Sequence, residues 1–428
     1  MKIYQDTEIK SFLKKFEARR STVSKDVDAA VSRILENVRE AGDKALYKYA
    51  KEFDRADLSQ IGLQIPIAEL ERAHKQLDKD LLNVLRESRS NIQKFHEKGK
   101  TKSWLSWEEN GIVLGHRVLP LERVGVYVPG GRAAYPSSLL MGVVPAQVAG
   151  VREIIITTPS DANGNVNATI MAAAYELGIT KVYRIGGAQA IAAMAYGTET
   201  VPQVDKIVGP GNIYVATAKK QLYGQCGIDM VAGPSEVIII ADKTANAEYA
   251  AADLLAQAEH DPLASSILIT DSENTAEQVR QAVIRQTKTL EREDIINISL
   301  QDYGAIILAK SLQDCVDYSN YLAPEHLGLH VENPWEVLGS ITNAGAVFLG
   351  PFSPEAVGDY WAGPNHVLPT NGSARFFSPL RTEDFTKSSS IVSYSKQALR
   401  EHGQKIITFA NSEDLTAHAN AIKVRMRE

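Results

Sequence analysis

The sequence predicts an α/β protein: two doubly wound units on mostly parallel sheets, a helical N-terminal segment and a small C-terminal tail. Three observations carry that expectation. From about residue 112, short β-branched runs alternate with Ala-rich helical ones. The β-branched runs are almost continuously apolar, as strands covered on both faces are. They also fall into two series, which suggests two sheets.

Taken in order, residues 1–98 read as helical. Val27, Val31, Ile34, Leu35 and Val38 recur at helical spacing, Gly42-Asp43 interrupts, and Leu70, Leu77, Leu81 and Leu85 follow Pro66. The first strand series is 123–128, 152–157, 181–185 and 204–208. The second is 236–241, 265–270, 304–309, 327–331 and 345–349. Helices fill the gaps at 137–149, 167–177, 188–196, 212–222, 246–258, 274–287 and 311–320. The last fifty residues read as loop around Gly372 and Pro379, then a helix over 412–425.

Composition narrows the function. A formal net charge of −6 and the lack of a basic tail give no electrostatic reason to expect nucleic acid. With 44% hydrophobic and 23% charged residues the chain can build ordinary cores, and its two cysteines, Cys226 and Cys315, make no disulfide framework. Charges from Lys2 to Arg20 leave no room for the apolar core of an export signal. The longest uncharged stretch, Ala133 to Val151, carries Pro136, Gly142, Pro145 and Gly150 and is poor material for a spanning helix. The expectation is a soluble, cytoplasmic protein.

Glycine clusters stand where strands end, at Pro129-Gly130-Gly131, Gly186-Gly187, Gly209-Pro210-Gly211 and Gly233-Pro234. In open α/β sheets ligands bind at the carboxyl ends of strands, and glycine lets backbone N–H groups approach them; βα turns also need glycine regardless of function. The dinucleotide fingerprint G-x-G-x-x-G is absent, so spacing alone shows no nicotinamide cofactor.

Gln257 and His260 are three apart on a helix and share a face, as a metal site could use; a histidine at a helix C-terminus also simply meets the dipole. Glu325 and His326 are adjacent ahead of a strand and offer two bases with ordinary pKa values of about 4.3 and 6.5. Asp359 and His366 bracket a Gly- and Pro-rich loop. Glu413 and His418 are placed on the last helix, roughly 140° apart around its axis, so they would meet a ligand from different sides. His74, His96, His116, His330 and His402 read as packing or surface residues.

Eight motifs, in order along essentially the whole chain, resemble the histidinol dehydrogenase family. They are ERVGVYVPGG at 122–131, GGAQAIAA at 186–193, VGPGN at 208–212, IDMVAGPSEV at 228–237, QAEHDP at 257–262, LAPEHL at 322–327, GDYWAGPNHVLPT at 358–370 and LTAHANA at 415–421. The resemblance implies two Rossmann-like units that bind NAD without the usual glycine motif. It implies one zinc ion per subunit, held by Gln257, His260, Asp359 and His418. It makes Glu325 and His326 the catalytic pair. Ser235, His366 and Glu413 would contact substrate together with Gln257, His260, His326, Asp359 and His418. Tyr127, Gln189 and Asn212 would contact NAD. The implied reaction is a four-electron oxidation of L-histidinol through L-histidinal to L-histidine, consuming two NAD. The resemblance also implies a homodimer whose C-terminal tail is exchanged, so that each site is shared.

The corresponding division is an N-terminal arm at 1–21, a first Rossmann-like domain of 22–126 with 236–377, a second of 127–235 that contacts NAD, and a tail of 378–428. Three other readings compete. A paralogue could oxidise another small amino- or sulfo-alcohol, but His366 and Glu413 favour histidinol. A zinc hydrolase would use the same ligands without reducing a cofactor, and a binding protein would turn nothing over.

Overall fold

A computed structural model describes residues 1–20, 25–130 and 135–427. Gly131 of the first glycine cluster, Ala133 and Ala134 of the uncharged stretch, and the expected boundary at 21/22 lie outside these residues.

All nine expected strands form, in two parallel sheets. The five-stranded sheet runs Val182–Arg184, Glu153–Thr158, Arg123–Tyr127, Lys206–Val208 and Gly227–Ile228. In chain order that is 3-2-1-4-5. The six-stranded sheet runs Lys2–Gln5, Ala305–Leu308, Ser265–Thr270, Glu236–Ala241, His326–His330 and Ala346–Leu349. Without its N-terminal strand it repeats the order 3-2-1-4-5.

Period-two alternation explains why both sheets are covered twice. In Glu236–Ala241, Val237, Ile239 and Ala241 enter one apolar layer, while Ile238 and Ile240 enter the other. In Glu153–Thr158, Ile154 and Ile156 face one layer and Ile155 the opposite one. Each such Val or Ile side chain contributes about 1.5–3 kcal/mol through burial.

The packing corrects the expected division. Strand Arg123–Tyr127, split by the 126/127 boundary, is the centre of the five-stranded sheet. Residues 25–98 also belong with that sheet rather than with the six-stranded one. Helix Lys25–Ala41 buries Val31, Ile34, Leu35 and Val38 in the core that holds Ala190, Ile191 and Met194. Leu70, Leu85 and Ile92 enter the core on the other face. The first twenty residues are not only helical: Lys2–Gln5 is a strand on the edge of the six-stranded sheet.

The C-terminal region also differs. Thr386–Ser393 pairs antiparallel with Val113–Pro120, which in turn pairs with Trp104–Trp107. Two helices follow, Lys396–Ser412 and Thr416–Met426. Glu413 is therefore not on the last helix but caps the preceding one, where Asp414 takes a left-handed φ of 58° and turns the chain. Among the described residues no helix is long and apolar enough to cross a membrane.

Candidate active site

The acid–histidine pair sits at the amino edge of the six-stranded sheet. His326 opens its strand, in register with Val237 and Ala346. Glu325 stands one residue before it, and Oε2 accepts the Glu236 N–H at 2.9 Å. The Ser235 hydroxyl also bonds Glu325. His326 Nδ1 lies 3.2 Å from the Glu236 carbonyl. A carbonyl only accepts, so Nδ1 carries the proton and Nε2 the lone pair. Nε2 has no hydrogen-bond partner among the described residues, and Glu355 Oε1 stands 3.7 Å from it.

Helix Ala247–Ala258 runs back from the first strand of this sheet and delivers Gln257, fully buried, to the same edge. His260 follows one turn later. His260, Glu355 and Asp359 each place a donor atom within 4.8 Å of the other two. With its amide nitrogen turned to Glu355, at 3.3 Å, Gln257 leaves Oε1 facing His260. That nitrogen also stands 3.1 Å from His326 Nδ1, which the Glu236 carbonyl already engages. The donor set is oxygen and imidazole, which suits zinc.

The 358–370 loop is braced by the unit of the five-stranded sheet. Ser88 and Asn91 donate to the carbonyls of Tyr360 and Trp361. Gly363, at φ 108°, passes so close to the Asn91 carbonyl that a Cβ would lie 2.6 Å from it. Asn365 donates to the Met141 carbonyl. His366 Nδ1 lies 3.1 Å from the Asp359 carbonyl and Nε2 lies 3.3 Å from Ser138 Oγ. Gly233, expected at a strand's carboxyl end, instead precedes Glu236–Ala241 and bonds Thr370.

Desolvation sets the charge states. It lowers His326 to about 3 and His366 to about 4, and raises Asp359 to about 7. It also raises Glu325 and Glu355 well above the carboxylate range and lowers His260. Buried carboxyls and imidazoles held toward neutrality in this way gain from a cation placed among them.

The proposed cofactor residues stand at the opposite kind of edge. Tyr127 ends the central strand of the five-stranded sheet, and its hydroxyl accepts the Gly187 N–H at 3.2 Å. The buried Gln189 packs on the same glycine. Asn212 caps helix Ile213–Leu222, accepting the N–H groups of Tyr214 and Val215. Thr158 Oγ1 and Ser160 Oγ, at the end of the neighbouring strand, are buried without a hydrogen-bond partner among the described residues. Such groups fit a polar ligand laid across this edge.

Two expected site residues are not brought to the cluster. Glu413 and His418 are exposed on the C-terminal helix pair, outside the group of His260, Glu355 and Asp359. Conversely, Glu355 and Glu236 escaped the sequence reading. Glu355 precedes Asp359 by four residues, a spacing that would have put both on one helical face. Glu236 reads as an ordinary strand residue and carries no such sign.

Comparison with known proteins identifies the family. The family model described as histidinol dehydrogenase matches residues 17–426. A histidinol dehydrogenase of Halalkalibacterium halodurans is 52% identical over 93% of this chain and 94% of its own. One from Lactococcus lactis is 50% identical over 98% and 97% respectively. The crystal structure of histidinol dehydrogenase from Elizabethkingia anophelis superposes with a TM-score of 0.95 at 39% identity, covering 100% of this chain and 98% of that one. With nearly its full length matched in sequence and in fold, the chain is an oxidoreductase that belongs to the histidinol dehydrogenase family.

Proposed function

We propose that the chain catalyses the zinc- and NAD-dependent oxidation of L-histidinol to L-histidine through L-histidinal, the last steps of histidine biosynthesis. The observation that carries this reading is the buried Glu325–His326 pair beside the Gln257, His260 and Asp359 donors. When bound, zinc orients the substrate's amino and imidazole nitrogens and NAD supplies the hydride acceptor.

The protein residues then divide the proton work. His326 Nε2 takes the hydroxyl proton as hydride leaves the carbinol carbon, and Glu355 at 3.7 Å steadies the imidazolium that results. Glu325 takes a proton from the water that adds to the aldehyde. The Glu236 N–H holds the Glu325 oxygen in place for that step. The His326 imidazolium gives its proton to the aldehyde oxygen as the water adds, and Glu325 passes its own to solvent; the neutral ring then takes a hydroxyl proton of the hydrate as the remaining hydride departs, leaving the acid, which ionises to the carboxylate. His366, fixed by Ser138 and the Asp359 carbonyl, offers its ring to the substrate, and Ser235 lies beside Glu325 for the same purpose.

Glu413 and His418 complete the site in this reading from a second copy of the chain. The helix pair that bears them leaves Ile406, Phe409, Leu415 and Val424 exposed, as a segment docked on a partner would. Absorbance of NADH on mixing protein, zinc, NAD and L-histidinol tests the whole reading. Two NADH per histidinol are expected. A yield of one would limit the enzyme to an alcohol oxidation, and none would remove the proposal.

A further inference from the structure

Lys219 and Asp229 form an ion pair with side chains only 2% and 1% exposed, the most enclosed salt bridge among the described residues. Neither belongs to the sites described above. Both also bind one residue, Gly209. Lys219 Nζ donates to its carbonyl at 2.9 Å, and its N–H donates to Asp229 Oδ2 at 2.8 Å. Asp229 Oδ1 takes the Met230 N–H at 2.6 Å. Gly209 is held at φ 115°, with its Cα so near Tyr127 that a Cβ would lie 2.1 Å from the Tyr127 carbonyl oxygen. The pair thus ties together the turn that follows Lys206–Val208, the last turn of helix Ile213–Leu222 and the segment that follows strand Gly227–Ile228, with Gly209 packed against the end of the central strand.

Stability alone does not explain such a pair. Burying two charges costs about as much as their attraction returns, and well-packed apolar residues often do as well or better. What the pair adds is conformation, because it satisfies both peptide groups of one buried glycine in a left-handed geometry. Beyond that anchored base, Asn212, Ile213 and Tyr214 are exposed. The turn is rigid underneath and open on top.

We propose that Lys219 and Asp229 are positioning residues for NAD: they hold the Gly209–Asn212 turn in the shape that receives the dinucleotide. The proposal rests on the reading that NAD occupies the carboxyl edge of the five-stranded sheet. Replacing both at once, Lys219→Met with Asp229→Leu, removes the clamp without stranding a buried charge. Loss of hydrogen bonds to one buried peptide should weaken NAD binding about tenfold. The measurements are calorimetric titration of the zinc-loaded protein with NAD, KM for NAD and for histidinol, zinc content and melting temperature. The expected result is weaker NAD binding and a raised KM for NAD, with histidinol KM and zinc content unchanged. A folded double variant that binds NAD as tightly as the unsubstituted protein overturns the clamp. Should the double variant fail to fold, Asp229→Asn decides by the same titration, since it keeps size and one acceptor. If the unsubstituted protein itself takes up no NAD, the cofactor reading falls and the clamp with it. If it binds NAD and only the clamp variants are silent, the clamp alone falls.

Discussion

The two sheets repeat one strand order, 3-2-1-4-5, yet the residues proposed for function lie at opposite edges. In the five-stranded sheet, Tyr127, Gly187 and Asn212 stand past the carboxyl ends of strands. In the six-stranded sheet, Glu236 and His326 open their strands, and Gln257 comes from the end of a returning helix. The difference is electrostatic. In a doubly wound sheet the carboxyl edge collects helix N-termini, which favour anions, and the amino edge collects helix C-termini, which favour cations. A dinucleotide with its pyrophosphate suits the first and a metal ion the second. One topology used twice, from opposite sides, thus offers both.

If the amino edge carries the proton chemistry, the largest effect comes from Glu325→Gln. Oxidation of supplied histidinal should fall by about 10²–10⁴-fold, and the first hydride transfer from histidinol far less. Rapid-mixing absorbance on each substrate compares them; equal losses would erase the division of labour between Glu325 and His326. Next, His260→Ala should lose its zinc on dialysis while keeping its NAD affinity, which separates the two edges directly. Stoichiometric zinc retained by the variant would take His260 out of the site.

Sharing of the site gives a smaller signal. Mixed and co-refolded, His260→Ala and His418→Ala chains form about half mixed dimers with one intact site each, so roughly a quarter of full activity should return. No recovery, with mixed dimers confirmed by mass, would place each site within one chain. The smallest effect concerns a buried carboxyl whose charge reaches Tyr127. Burial pushes Asp54 up to about 6, and its Oδ2 has no hydrogen-bond partner among the described residues. A raised folded-state pKa adds stability below the unfolded value, near 4, and that contribution is lost as pH rises through about 6. Asp54→Asn should therefore be more stable than the parent by on the order of 1–2 kcal/mol at pH 7 to 8 and equal to it near pH 3. Thermal melts across that range check the sign, and a gap of the same size at acid pH would point to packing instead.

Much of this was legible beforehand, for identifiable reasons. The nine expected strands are apolar enough to announce themselves, and Gln257 with His260 shows helical spacing. The missed strands have no such pattern. Every residue of Trp104–Trp107 is exposed, and Thr386–Ser393 is half serine, so pairing with Val113–Pro120 makes them strands. The position of Glu413 was misjudged because Asn411-Ser412-Glu413-Asp414 ends one helix and precedes another, which a single apolar period cannot show. Glu355 reaches His326 only through tertiary folding, and Lys219 looks like any helix lysine until its burial is seen.

The N-terminal strand has a consequence for how the molecule comes to be made. Lys2–Gln5 is synthesised well before its hydrogen-bonding partner, Ala305–Leu308. At ribosomal speed, roughly 300 residues separate the two by about 15–60 seconds, during which the first strand has no sheet to join. The edge of Ala305–Leu308 is likewise open until Lys2–Gln5 covers it, and an open edge of Ala-Ile-Ile-Leu is a template for pairing with other chains. Lys2–Gln5 therefore closes the sheet late and acts as its guard against aggregation.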